Sequence, residues 1–465
     1  MIIRQFFIPG IAHSSYLIGG VSSCLIVDPT RDVDRYLAAA RDEGMHITGI
    51  LETHLHADFV SGHLDLNEKT GAPIYMPARA QALFPHMPVR DGSVITIEDL
   101  RIEVRETPGH TPEHVSYVLI HQSSSESPFA VFCGDTLFVG DVGRPDLFPG
   151  KAQELASSLY TSLHDHLMTL PDHCKVYPAH GAGSLCGRKL SAQRESTIGY
   201  ERISNPILAI KDRETFISTL TTAMPPVPDH FGRCSEINRR GPVLVSALPV
   251  PAQLSPGEIS RLLEEDTVDL IDLRGYDAFG GFHIPSSWNI NIDLNFSTFS
   301  GWVLNPDRDL ILIGDHQDQH AKAVLMMNRV GLDSIRGYLS GGMQKWAFAG
   351  YNSDHVSIIS VQELATLISH NPTLQILDVR TADEYAGYHI PGSVNIPWPD
   401  LRTRTSELRS AGPVVVICGS GFRSGIACSI LKRVGCHDIL NVAGGYTGWI
   451  AAGLNTATSL TSLKN

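Results

Sequence analysis

The sequence predicts an α/β multidomain protein. Three observations predict it. The chain has 465 residues, enough for about three domains at roughly 150 residues each. Short β-rich runs alternate with helical ones along its whole length. Its second half repeats itself at a nearly constant offset.

The first block, residues 1–240, opens with β-type alternation over Ser15–Val27, and a helix is expected over Asp32–Glu43, closed by Gly44. Ile47–Leu51 reads as a strand ending in a histidine cluster. A helix over Phe59–Gly71 follows, with Asp58 either as its N-cap or as a partner of the histidine cluster. Leu155–Leu170 has amphipathic spacing and stops at Pro171. Met224–Pro228 and the proline-rich stretch Pro242–Pro256 read as an edge segment and a linker, because proline can neither donate to a ladder nor continue a helix.

In the remainder, Asp272-Leu-Arg and His283-Ile-Pro match Asp378-Val-Arg and His389-Ile-Pro. Arg329-Val-Gly matches Arg433-Val-Gly, and Ser340-Gly-Gly with Trp346 matches Ala443-Gly-Gly with Trp449. The offset stays at 103–106 residues, far beyond a solenoid period, so the pattern is a duplicated domain. The runs Val268–Asp272, Leu310–Ile313, Gln375–Val379 and Val414–Ile417 alternate with helical stretches, which implies parallel sheets. The expected boundaries are 241–355 and 356–465.

Composition narrows the function. The chain is 43% hydrophobic with a formal net charge of −13. Such an acidic surface without a Lys/Arg cluster speaks against nucleic acid and anionic membranes. The stretch Ile439–Leu463 is too polar to span a bilayer, and the N-terminus lacks a signal-peptide pattern. Eight scattered cysteines suit reduced thiols, so a cytoplasmic location is expected.

Two constellations carry chemistry. In the first block, Thr53-His54-Leu-His56-Ala-Asp58-Phe59, Thr107-Pro-Gly-His110, Cys133-Gly-Asp135 and Tyr177-Pro-Ala-His180 all sit in turns at strand ends. Two histidines and a carboxylate with open positions can hold a divalent metal and still admit substrate or oxygen. His63 and His114 read as packing residues. His164 and His166 imitate the spacing but lie on an expected helix, where positions two apart do not share a face.

In the last block, an apolar strand runs into Cys418-Gly419-Ser420-Gly421-Phe422-Arg423-Ser424 and a helix start. Successive backbone N–H groups and the positive helix end favour a thiolate, or a persulfide anion, at such a cysteine. Arg423 is expected to clamp an anion. Gly419, Ser420, Gly421, Phe422 and Ser424 are expected to cradle the substrate. At the repeat offset the middle copy has Gly314 and Gln319 instead, so sulfur transfer is not expected there. A spacer or docking role is.

The order and wording of the first-block motifs resemble the metallo-β-lactamase superfamily, and the Cys418 block resembles the rhodanese family. The first resemblance implies an αββα sandwich; the second implies two rhodanese-like α/β domains with parallel sheets. The superfamily pattern ends in a histidine where this chain has Phe59, and a phenyl ring cannot ligate a metal. The resemblance therefore points to the persulfide dioxygenase branch, with mononuclear iron(II) on His54, His110 and Asp135. His56, Asp58 and His180 are then expected to orient those ligands or to bond substrate or water.

The loop Gly143-Arg144-Pro-Asp146 resembles one that grips a thiol's anionic group. Its other reading is an ion pair of Arg144 with Asp141 or Asp146. Cys186 is either a channel residue that touches sulfur or a buried inert thiol. The tyrosine of glutathione-specific relatives is absent after His180, so the thiol carrier stays open.

The resemblance implies oxidation of a low-molecular-weight thiol persulfide by O2 to sulfite. A rhodanese reaction then links sulfite and persulfide to thiosulfate and thiol. It also implies a homo-oligomer and a sulfide-oxidising enzyme as partner. Two alternatives are a dizinc, glyoxalase II-like thioester hydrolase with an attached sulfur carrier, and a non-catalytic relay protein.

Overall fold

The computed structural model describes residues 1–188, 190–222, 224–293, 295–371, 374–408 and 412–458. The chain divides into two compact units. The first holds Met1–Leu248 and Leu325–Leu332; the second holds Pro249–Val324 and Asp333–Asn465.

Unit 1 is built on two six-stranded sheets. One runs in the order β1 (Ile2–Ile8), β2 (His13–Gly19), β3 (Ser23–Val27), β4 (His46–Leu51), β5 (Ile74–Pro77) and β6 (Met87–Val89). The other contains β7 (Val94–Ile97), β8 (Leu100–Glu106), β9 (Val115–His121) and β10 (Ala130–Gly134). A short hairpin, β11 (Leu137–Phe138) with β12 (Asp141–Val142), precedes its last strands, β13 (Lys175–Pro178) and β14 (Ser196–Thr197). The order across this sheet is β14-β13-β10-β9-β8-β7.

Alternation along the strands sends side chains to two faces. Tyr16, Ile18, Leu25, Val27 and Leu51 meet Leu100, Ile102, Val104, Tyr117 and Phe132 between the sheets. Leu17, Ile26 and Ile50 face Tyr36, Ala39 and Leu66 on one outer side. Val118, Val131 and Val176 face Leu159, Leu163 and Phe216 on the other. The result is the αββα sandwich.

Three local expectations are refined. The Ser15–Val27 alternation resolves into the hairpin β2–β3, closed by the Gly20 N–H on the Ser23 carbonyl. The expected Phe59–Gly71 helix is shorter, spanning His63–Thr70 with Gly62 at its N-cap. Asp58 therefore does not cap it; its carboxylate is engaged by His180 instead. The Leu155–Leu170 helix is α-helical over Ala152–Thr161 and then widens to a π-turn over Ser162–Leu167.

Unit 1 also takes in residues 325–332, which lie inside the expected second block. Arg329 grips Asp32 through Nε and Nη2 at 3.0 and 2.8 Å, and its carbonyl accepts the Val60 N–H at 2.6 Å.

Unit 2 contains two five-stranded sheets. The first is β15 (Ala252–Leu254), β16 (Val268–Asp272), β17 (Trp288–Asn289), β18 (Asp309–Ile313) and β19 (Ile335–Leu339), in the order β15-β19-β18-β16-β17. The second is β20 (Ser357–Ile359), β21 (Gln375–Asp378), β22 (Val394–Asn395), β23 (Val414–Ile417) and β24 (Ile439–Val442), in the order β20-β24-β23-β21-β22. Every strand pair in both sheets is parallel.

The duplication extends to buried polar bonds. Arg274 pairs with Asp272, and Arg380 with Asp378, both at 2.7 Å. Trp346 Nε1 donates to the Asn352 carbonyl as Trp449 Nε1 does to Asn455. A Ser–Glu capping box opens the first helix of each copy, at Ser255–Glu258 and Ser360–Glu363. All eight cysteines are unbridged. Among the described residues no helix is long and apolar enough to cross a membrane.

Candidate metal centre and candidate sulfur-transfer loop

Strand ends in unit 1 bring the first-block motifs together. His54, His56 and Asp58 follow β4, His110 lies between β8 and β9, Asp135 follows β10, and His180 follows β13. One donor atom each from His54, His110 and Asp135 lies within 4.8 Å of the others, and all three residues are buried. His110 Nε2 is 3.3 Å and His54 Nε2 3.9 Å from Asp135 Oδ2.

These three atoms have no hydrogen-bond partner. Buried polar atoms left unpaired in this way are costly, and a shared cation would satisfy all three. The donor set therefore fits a metal ion.

The far side of each of these histidines is anchored. His110 Nδ1 donates to the Arg144 carbonyl at 2.9 Å, which leaves the Nε2 lone pair facing Asp135. Thr53 Oγ1 donates to Asp28 Oδ2 at 2.9 Å and so accepts from His54 Nδ1, also at 2.9 Å. Such partners hold ring and tautomer in place.

Burial, reinforced by neighbouring imidazoles, holds His54 well below the ordinary histidine range. Burial lowers His110 too, although Asp135 opposes it. Both rings are thus neutral and able to ligate. Burial opposes the charge on Asp135, but His180 and His110 outweigh it and hold the carboxyl below its usual range.

His180 bridges two carboxylates, with Nδ1 2.7 Å from Asp135 Oδ1 and Nε2 2.8 Å from Asp58 Oδ2. Burial disfavours its charge, yet the two carboxylates hold it well above the ordinary range. His56 turns away from the trio. Its Nε2 lies 3.2 Å from Asp28 Oδ1 and 3.6 Å from Glu52 Oε2, and its ring packs on Phe59 at 4.4 Å.

Arg144 is fully buried. Its Nε and Nη2 grip Asp146 at 2.7 and 2.8 Å, and the remaining donors reach the Leu185 and Pro225 carbonyls. The fork is thus engaged by Asp146, as the ion-pair reading of Arg144 expects. Cys186 is buried beside Ala57, Phe138 and Phe231. Burial and the nearby Asp58 push its thiol up to about 12, which keeps it protonated and unreactive at neutral pH.

Further residues complete the site. Asp28, Glu52 and Thr53 anchor the first histidines, and Glu52 also faces His63 at 3.1 Å. His13 stacks on Phe59 at 4.2 Å. His114 accepts the Asp135 N–H at 3.0 Å, which is more than a packing role. The acid ending β3 in Val27-Asp28-Pro29 was a readable signal; His13 and Glu52 carried none.

In unit 2, Cys418 directly follows β23. Its Sγ accepts the Gly421 N–H at 3.2 Å and lies 3.4 Å from Ser424 Oγ. The loop is tied down by Tyr446 N–H on the Cys418 carbonyl (2.8 Å) and Thr447 N–H on Gly419 (2.9 Å). Ser420 is exposed at its mouth and Phe422 half-buried. Arg423 pairs through both Nη atoms with Glu384 at 2.7 Å, so its charge is already partnered. In the middle copy, Gln319 Oε1 accepts the Asp315 and His316 N–H groups, filling the loop with its own side chain.

Residues 8–180 match the metallo-beta-lactamase superfamily, and residues 255–349 and 360–452 each match the rhodanese-like domain. The mitochondrial persulfide dioxygenase ETHE1 of Mus musculus is 29% identical over 243 residues, 52% of this chain and 88% of that protein. A hydroxyacylglutathione hydrolase of Pseudomonas aeruginosa is 35% identical over 159 residues, 34% of this chain and 56% of that protein. Among solved structures, a metallo-beta-lactamase from Staphylococcus aureus is 34% identical with a TM-score of 0.66, covering 73% of this chain and 98% of that one.

Proposed function

Because the chain belongs to the metallo-β-lactamase superfamily and carries two rhodanese-like domains behind that domain, we propose that it is an iron-dependent persulfide dioxygenase coupled to a rhodanese sulfurtransferase. Homology to persulfide dioxygenases and the rhodanese domains mark it as an enzyme of sulfur metabolism. The finer reading is ours. A low-molecular-weight thiol persulfide, O2 and water yield thiol and sulfite. Sulfite and a second persulfide then yield thiosulfate and thiol.

The observation that carries this reading is the trio of unpartnered atoms on His54, His110 and Asp135, with Phe59 in place of a further motif histidine. A mononuclear iron(II) held there would supply the centre where persulfide sulfur and O2 meet. The protein's part is to hold His54 and His110 neutral through Thr53 and the Arg144 carbonyl. Charged His180 and Asp58 sit beside the trio, where the imidazolium can donate a proton to the departing thiolate. Cys418 takes up the outer sulfur of a donor as a persulfide, stabilised by the Gly421 N–H, and passes it to the acceptor anion. We place the enzyme in the cytoplasm, as a homo-oligomer, with a sulfide-oxidising enzyme as the source of its substrate.

The hydroxyacylglutathione hydrolase likeness favours a second reading, a dizinc thioester hydrolase. Metal analysis of anaerobically purified protein, followed by O2 uptake with a small persulfide, separates the two. About one iron per chain with O2 uptake and sulfite or thiosulfate as product is expected. Two zincs and no uptake overturn the dioxygenase.

A further inference from the structure

The middle rhodanese copy has no nucleophile of its own, yet it packs along the helix Phe422–Arg433 that follows Cys418. At the far end of that helix, Arg433 Nη2 meets Asp269 at 3.0 Å, and the guanidinium lies 4.5 Å over the Trp288 ring. Lys432 reaches Asp354 at 3.0 Å. Trp398 is flanked by the Phe299 and Trp302 rings at 5.1 and 5.4 Å.

The near end matters more. Gly421 has a φ of +103°, and a Cβ there would lie 2.6–3.0 Å from the ring and hydroxyl of Tyr276. One turn on, a Cβ at Gly425 would meet Asn289 Oδ1 at 2.7 Å and Tyr276 Cβ at 2.9 Å. Asn289 is itself fixed, its Nδ2 donating to the Arg274 carbonyl at 3.0 Å. Phe422 meets the Tyr276 ring edge-on at 5.6 Å. Both glycines thus press directly against the middle copy, and Gly421 is the residue whose N–H reaches Cys418 Sγ.

From this we infer that Tyr276 is a positioning residue for sulfur transfer, its ring bracing Gly421 so that the Gly421 N–H stays aimed at Cys418 Sγ. The inference rests on the reading of Cys418 as the sulfur carrier. The copy without a cysteine supplies one wall of its neighbour's loop and is more than a spacer. Gly421 is flexible by nature, so without the ring its N–H wanders. A hydrogen bond to a developing sulfur anion is among the stronger ones, and its loss falls on the chemical step.

The test uses the full-length protein with Tyr276→Ala, Tyr276→Leu and Tyr276→Phe. The readouts are thiosulfate:cyanide sulfurtransfer and the rate of Cys418 alkylation by iodoacetamide, located by peptide mass spectrometry. Ala and Leu are expected to lower kcat and slow alkylation by about tenfold while leaving the KM for thiosulfate unchanged. Phe is expected to behave as wild type, because the ring and not the hydroxyl does the bracing. Unchanged kcat and alkylation in Ala and Leu overturn the inference. So does a loss confined to KM, or one equally large in Phe. Leu retains most of the apolar volume and decides the matter if Ala does not fold. Failure of the Cys418 reading shows separately, as sulfurtransfer that survives Cys418→Ser.

Discussion

Arg423 and Glu384 form a two-pronged ion pair, each guanidinium Nη 2.7 Å from a carboxylate oxygen. Thr381 also donates to this carboxylate as part of a capping box. The anion clamp expected beside Cys418 is therefore held by the protein itself. Burial opposes the Glu384 charge, but Arg423 and Thr381 outweigh it and hold the carboxyl down to about 2, against an ordinary 4.5.

A depressed carboxyl adds stability above its unfolded value, and that contribution is lost as the folded form takes up a proton. Glu384→Gln should therefore be less stable than wild type at neutral pH, with the gap closing as pH falls from 4.5 toward about 2. Denaturant titrations of both proteins across that range check it. A gap that widens in acid would refute the assignment. The same variant frees the Arg423 fork, so its KM for thiosulfate should fall.

The candidate metal centre and the Cys418 loop lie in separate compact units, so the two proposed activities should be separable by mutation. His110→Ala is expected to lose metal and O2 uptake while thiosulfate:cyanide transfer persists. Cys418→Ser is expected to keep O2 uptake and lose thiosulfate formation. Loss of both activities in either variant would show that the units do not work independently.

Phe59 is buried with Ile8 and Ile11 and packs on His13 and His56. Phe59→Ala should cost about 3–5 kcal/mol of stability, the usual range for emptying such a site, read from chemical denaturation of unit 1. It should also lower metal retention on dialysis against a chelator, because His13 and His56 lose their packing. Full metal retention would make Phe59 a core residue alone.

Gly143 sits between Asp135 and His110 of the candidate metal centre. A Cβ there would collide with the Asp135 carbonyl and come within 3.0 Å of His110 Cβ. Gly143→Ala should sharply reduce bound metal and O2 uptake without touching sulfurtransfer. Elemental analysis beside both assays checks this.

The repeat anchors, the strands of unit 2 and the Cys418 loop were legible in the chain because each is a local pattern. A parallel β-run reads as a continuous apolar stretch, and a Gly-rich turn before a helix announces itself. The four motifs bearing His54, His110, Asp135 and His180 were legible as strand-end turns able to converge on one mouth, while the choice of His54, His110 and Asp135 came from the family resemblance. What could not be read locally were the partners. Arg144 bonds Pro225, His56 turns to Asp28, and Tyr276 braces Gly421. Each joins residues from 28 to 145 positions apart, and no periodicity encodes such a contact. The helix starts at His63, and Asp58, a good N-cap by type, is engaged instead by His180, 122 residues away. Local chemistry proposes a role for each polar side chain; packing brings up the distant charge that takes it.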